Sequence, residues 1–314
     1  MRRRTLLTAS TAATAALTAV GTAPARAAAV GGTVRENVRM PSRVLGTDVL
    51  YSVYLPPGYG RGRTRTYPLL FLLHGITGDN TEWLRSGDAR RILDTAILRG
   101  TVPPVVVIMP DGRRDVTRAP EDQDLTYFMD DADGSFRWAQ MFTDELLPYA
   151  ESRYHAGGAP GLRGVGGLSM GGFGALSAAL HAPGLFGSAI GLSVGQRTDD
   201  QLVALDMAEY NWRYARAWGA DLAGRARLND RYRYWNPLDT IQRTPADTLA
   251  RTAYYLDCGA YDPFFEGNAA LHIALTRKNV PHRFMSREGA HEWPYWISGL
   301  PSALGFFADH LDRT

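Results

Sequence analysis

Two uninterrupted apolar runs constrain the fold of this 314-residue chain more than anything else in it. "YPLLFLLHG" (67–75) and "VPPVVVIMPDG" (102–112) are too short to cross a membrane and show no polar/apolar alternation. A strand with one face in water alternates, whereas a strand that is apolar throughout is covered on both faces. Between the runs, "WLRSGDARRILDTAILRG" (83–100) places Leu and Ile at helical spacing and stops at Gly100. Strand, helix and strand in that order make the repeating unit of a parallel sheet.

The flanking text extends the pattern. Residues 38–55 alternate, break at Leu45-Gly46-Thr47 and end at Pro56-Pro57-Gly58, which predicts a β-hairpin. Downstream, the sequence predicts helices over 135–154, 171–181, 268–278 and 296–311, and strands over 163–168, 187–193, 252–259 and 282–287. This order predicts an α/β fold: one doubly wound, mostly parallel sheet with helices on both faces, a single domain over 28–314. An insert over 196–251, between the sixth and seventh strands, is rich in aromatic residues: Tyr210, Trp212, Tyr214, Trp218, Tyr232, Tyr234 and Trp235. Such rings either line a substrate cleft or pack a cap subdomain, and packing is the expectation for any one of them.

Residues 1–27, "MRRRTLLTASTAATAALTAVGTAPARA", have a basic start, a weakly apolar middle and a small-x-small end at Ala25-Arg26-Ala27. That is an export signal cut before Ala28, and Arg3-Arg4-Thr5-Leu6-Leu7 resembles its twin-arginine variant. The run is too short and threonine-rich for a stable membrane anchor. A secreted location is expected. Four of the 34 basic side chains lie in this segment, so 30 face 32 acidic ones in the remainder, a balance that offers nothing to nucleic acid. Cys258 is the only cysteine, which excludes an intramolecular disulfide and a cysteine-based zinc site. "DDADG" (130–134) lacks the further oxygen ligands of a calcium loop and reads as a solvated acidic turn. No metal or cofactor is expected.

The pattern G-x-S-x-G occurs twice, at "GLSMG" (Ser169) and "GLSVG" (Ser193). A nucleophile on a strand-to-helix turn needs a strand entering, small flanking residues and a helix leaving at once. Around Ser169, "RGVGGL" enters, Gly167, Gly171 and Gly172 flank, and "FGALSAALHA" leaves. After Ser193 comes the polar "GQRTDDQ", whose helix starts no earlier than a cap at Thr198 or Asp199. Ser169 is therefore the candidate nucleophile, and Ser193 belongs at the carboxyl edge of the sheet, near the site. A serine at a helix N-terminus meets unpaired backbone donors, of which the Met170 N–H is the first oxyanion donor.

A serine hydroxyl needs a base and an acid to orient it. In α/β-hydrolases these follow the serine in the order acid, histidine, with the histidine beyond the last strand. Of the seven histidines only His291, in "REGAHEWPYW", fits. The acid belongs in the loop after "TAYYLDCG": Asp257 lies within that strand, Asp262 has the reach of the loop, and Glu266 is the reserve. The second oxyanion donor comes from the loop after the first long buried strand, "LLHGITGDN", where the expectation falls on the Ile76 N–H. His74 is then a structural hydrogen-bonding residue.

These residues resemble a known family, the putative-esterase (esterase D-like) branch of the α/β-hydrolases, which includes S-formylglutathione hydrolases, feruloyl and acetyl-xylan esterases and the mycobacterial mycolyltransferases. The carriers are "VYLPPGYG", "YPLLFLLHGITGDNTEW", "VVVIMPDG", "GLSMGGFGAL", "DCGAYDPFFEGN" and "GAHEWPYW", which span nearly all of the mature chain. The resemblance implies a triad of Ser169, Asp262 and His291 with the Ile76 and Met170 N–H groups as oxyanion hole, as the order argument does. The expected function is an exported serine carboxylesterase acting on a small-molecule or polysaccharide-linked ester. Two rivals are an acyltransferase passing the acyl group to a sugar hydroxyl, and a non-catalytic cell-wall or carbohydrate-binding protein on a hydrolase scaffold.

Overall fold

A computed structural model of the chain describes residues 31–60 and 66–312; the expected export signal over 1–27 lies outside them. Eight strands form one sheet: β1 (Thr33–Pro41), β2 (Asp48–Leu55), β3 (Leu69–Leu73), β4 (Val106–Pro110), β5 (Arg163–Leu168), β6 (Ser188–Leu192), β7 (Ala253–Gly259) and β8 (His282–Arg287). Their spatial order is β1-β2-β4-β3-β5-β6-β7-β8. β1 and β2 are an antiparallel hairpin, β2 pairs antiparallel with β4, and every other pair is parallel. Helices cover both faces, so β3, β4 and β6 are buried along their whole length, as the unbroken apolar runs require.

Two apolar cores flank this sheet. One gathers Phe71, Phe142, Phe173 and the aromatic rings of the insert; the other packs Trp83, Trp296 and the final helix against Leu72 and Met109. The insert follows β6 as a series of short helices, and its Tyr210, Tyr214, Trp218, Tyr232 and Trp235 are buried. Tyr214 and Trp218 stack at 4.0 Å, while Tyr234 stays about half exposed. Packing, not cleft lining, is the work of the five buried rings. Tyr210 among them is covered by Arg227, which is 2% exposed and lies 4.4 Å from that ring's centroid. Its guanidinium donates to the carbonyls of Leu222, Leu202, Val203 and Leu205.

Three local differences from the sequence expectation have physical causes. β1 begins at Thr33 rather than Val38, because an exposed edge strand with a bulge between Arg35 and Val38 carries no alternation to read. The helix expected over 83–100 is two, Glu82–Arg85 and Ala89–Leu98: Asp88 takes a left-handed conformation, and a Cβ on Gly87 would lie 2.7 Å from the Trp293 ring. The helix over 135–154 starts at Trp138 and widens to a π turn over Phe142–Leu146. Pro148, which has no N–H to donate back, follows directly in the next turn.

Candidate active site

Ser169 is the junction between β5 and the helix Met170–His181. Its backbone sits at φ 53 and ψ −119, a conformation that costs about 1–3 kcal/mol and persists only where the surroundings enforce it. Here its N–H donates to the Leu192 carbonyl at 2.9 Å, and its carbonyl accepts from Gly195 N–H at 2.8 Å and Phe173 N–H at 3.0 Å. Flanking glycines make the turn possible. A Cβ on Gly171 would stand 2.2 Å from the Leu73 carbonyl oxygen, and one on Gly167 would stand 2.4 Å from the Gly171 carbonyl carbon.

Residues far apart in sequence meet at this turn. His291 Nε2 lies 2.9 Å from Ser169 Oγ, and His291 Nδ1 lies 2.8 Å from Asp262 Oδ2. An ionised carboxylate only accepts, so Nδ1 carries the proton and Nε2 offers its lone pair to the serine hydroxyl. The Asp262 side chain is fully buried, while that of His291 keeps 22% of its surface exposed at the rim. Burial pushes the Asp262 carboxyl up, but the His291 ring, the Phe264 N–H and the Ser193 hydroxyl outweigh it and hold the group below the ordinary carboxylate range. Phe264 and Trp296 wall the imidazole at 5.1 and 4.9 Å, the latter edge-on.

The loops after β3 and β5 carry Ile76 and Met170, the two residues whose N–H groups are expected to meet an oxyanion. A Cβ on Gly75, the residue before Ile76, would lie 3.7 Å from Ser169 Cβ, so the β3 loop passes close to the serine turn. Gly78 N–H closes that turn onto the Gly75 carbonyl and Thr77 is left-handed, so this turn bond does not use the Ile76 N–H. Met170, at the first helical position, has an N–H with no intrahelical acceptor. Beneath the loop, His74 is buried between a carbonyl and an amide: Nδ1 donates to Gly75 O at 2.7 Å, and Nε2 accepts from Gly112 N–H at 2.8 Å. Both ring positions are thereby fixed in the neutral form, in line with the downward push of burial on this histidine. It ties the β3 loop to the β4 loop and is structural, as expected.

The other sequence candidates have different employment. Ser193 ends β6 with φ 46, and no helix opens until Thr198 caps Asp199–Ala204; its Oγ accepts from the Trp296 indole N–H at 3.0 Å. Asp257 is buried under the final helix with Arg287 at 3.0 Å and the hydroxyls of Tyr295 and Tyr255. Glu266 is exposed and accepts from Gln201. Asp131 of the acidic turn is bound through both oxygens by Arg114. Sequence reasoning missed Phe264, Trp296 and Asn268. The buried Asn268 amide accepts from Val194 N–H and donates to the Val194 and Phe264 carbonyls, joining the Ser193 turn to the Asp262 loop. Phe264 and Asn268 lie in "DCGAYDPFFEGN" and Trp296 in "GAHEWPYW", but neither run by itself gives these residues a role.

Comparison with known proteins gives this chain a family. The model of the Putative esterase family matches residues 42–307. The chain belongs to that family. An endo-1,4-beta-xylanase/feruloyl esterase from Xylanibacter ruminicola is 32% identical over 143 residues, 43% of this chain and 18% of that protein. Esterase Rv1288 from Mycobacterium tuberculosis is 27% identical over 266 residues, 81% of this chain and 54% of that protein. The chain thus spans about half or less of these two curated relatives. Among solved structures, a ferulic acid esterase superposes with a TM-score of 0.74 at 25% identity, covering 89% of this chain and 98% of the other. The α/β-hydrolase fold is shared.

Proposed function

We propose that the protein is an exported serine carboxylesterase that works through an acyl-enzyme on Ser169. One observation carries the reading: a single imidazole bridges the Ser169 hydroxyl and the buried Asp262 carboxylate. His291 Nε2 takes the hydroxyl proton as Oγ attacks the ester carbonyl carbon. The resulting oxyanion is met by the N–H groups of Ile76 and Met170. Collapse breaks the ester C–O bond, and the alcohol leaves with the proton held on His291. Water, deprotonated by the same ring, then attacks the acyl carbon and releases the acid with Ser169 restored. No step draws on a cofactor.

The substrate class is a carboxylic ester borne by a small molecule or a polysaccharide, a reading supported by the feruloyl esterase names among the relatives. Export rests on residues 1–27. Among the described residues, no helix is long and apolar enough to cross a membrane. A fluorophosphonate probe should label one serine, and labelling that survives Ser169→Ala places the nucleophile elsewhere. An ester panel with acetyl, octanoyl and feruloyl groups defines the acyl preference, and absence of turnover on all of them rejects the esterase. N-terminal sequencing of protein recovered from the culture medium should begin at Ala28; an intact Met1 there rejects the cleaved signal.

A further inference from the structure

Glu82 opens the short helix that follows the oxyanion loop, and its carboxyl folds back over that loop. A Cβ on Gly78 would lie 1.6 Å from Glu82 Oε2 and 3.1 Å from His74 Nδ1, so the carboxyl fills the place a side chain at position 78 would take. Oε2 is buried with no hydrogen-bond partner. The Trp293 indole hydrogen-bonds the carboxyl and favours its ionised form, but by less than burial and Asp79 oppose it. Trp293 starts the final helix two residues after His291, and packs edge-on against both Trp83 at 5.6 Å and Trp296 at 5.3 Å. Glu82 therefore touches the loop that carries one oxyanion donor and the segment that carries the base.

None of the surrounding charges neutralises a carboxylate at this place. Asp79, in the same loop, is an anion held by the Thr81 hydroxyl and N–H. Arg113, from the β4 loop, comes within 3.9 Å of Asp79 but is spent on Asp111. On its own helix, Arg85 pairs with Glu36. His74 is fixed neutral, Trp293 brings only its indole, and Glu292 beside it is exposed. Burial first, and the Asp79 charge second, push the Glu82 carboxyl up to about 7.

We propose that Glu82 is a positioning residue: as a neutral carboxylic acid it holds the oxyanion loop against the His291 segment, and its ionisation loosens that hold. The proposal rests on the esterase reading of the site. An unpaired charge buried beside Asp79 is expelled toward water, and the loop under Ile76 loses its brace.

The test compares wild type with Glu82→Gln, which keeps the shape and cannot ionise. For wild type, kcat should fall through a single ionisation near pH 7 while KM changes little; for Glu82→Gln that descending limb should vanish, leaving kcat at pH 9 at least about threefold above wild type. An identical alkaline limb in both proteins overturns the proposal. A second measurement needs no turnover: the Tm of Glu82→Gln minus that of wild type should grow from pH 5 to pH 8, and a constant difference also overturns it. If Ser169 takes no fluorophosphonate label at any pH, the esterase reading falls and the positioning role with it, even with the Tm signature intact.

Discussion

Replacing Arg227 by leucine tests whether one buried cation holds the insert together. The side chain is 2% exposed and has no carboxylate partner; its positive charge is met by four carbonyls and the Tyr210 ring. Two of those carbonyls, Leu202 and Val203, belong to the helix Asp199–Ala204, and Leu205 is its C-cap, so the guanidinium caps a helix end that the chain leaves open. Leucine fills most of the volume but donates nothing. Each carbonyl left dry costs roughly 1–3 kcal/mol, but the replaced charge also no longer has to be desolvated, and water enters part of the gap. The net is about 3–5 kcal/mol, a large share of the roughly 5–15 kcal/mol that holds a domain folded. At roughly 2 °C per kcal/mol for a chain of this size, Tm should fall by about 6–10 °C in a thermal melt. Because Ser169, Asp262 and His291 hang on the sheet and its loops, kcat at 25 °C should stay within about twofold of wild type. A Tm within 2 °C of wild type would refute the reasoning, since the carbonyls would then have no need of the charge.

The same contacts set four further outcomes. Asp262→Asn should lower kcat on the order of 10³–10⁴-fold by presenting the wrong hydrogen-bond partner to His291, while Asp257→Asn should leave kcat within about threefold and lower Tm; parallel kinetics and melts separate the two carboxylates. Ser193→Ala should cost roughly tenfold in kcat through the lost hydroxyl near Asp262, yet retain fluorophosphonate labelling that Ser169→Ala loses. Gly171→Ala should abolish folding or activity, because its methyl would meet the Leu73 carbonyl at 2.2 Å; a soluble, fully active variant contradicts the geometry. Burial and the Arg243 charge push His181 down to about 4, against about 6.5 in the unfolded chain. The unfolded chain therefore binds the proton first as pH falls, so the stability tied to a neutral His181 is complete above about 6.5 and drains away toward 4. The gap is worth about 3 kcal/mol, and urea unfolding at pH 7.5 and 4.5 should show a smaller acid loss for His181→Gln than for wild type.

The sheet was legible because β3 and β4 are buried on both faces and their composition says so without help from the rest of the chain. Ser169 could be told from Ser193 by the residues just downstream, a helix-forming run after one and a polar stretch after the other. Asp262 and His291 needed only chain order, since in a doubly wound sheet the carboxyl ends of neighbouring parallel strands come together whatever their separation in sequence. The contacts that stayed hidden depend on side chains meeting across that edge. No local pattern marks Trp296 as the donor to Ser193, Asn268 as the joint between two loops, or Glu82 as the occupant of the space over Gly78. The break at Gly87 was invisible for the same reason: the ring that crowds it comes from Trp293, some two hundred residues on.

The crowding around Ser169 limits how this protein can diversify. With the Cβ positions of Gly167 and Gly171 both blocked by main chain rather than by movable side chains, no compensating substitution nearby opens room for a bulkier residue. Adaptation to a new ester is therefore expected in the loops around the serine turn and not in the turn itself, and a mutagenesis library aimed at altered specificity is best spent there.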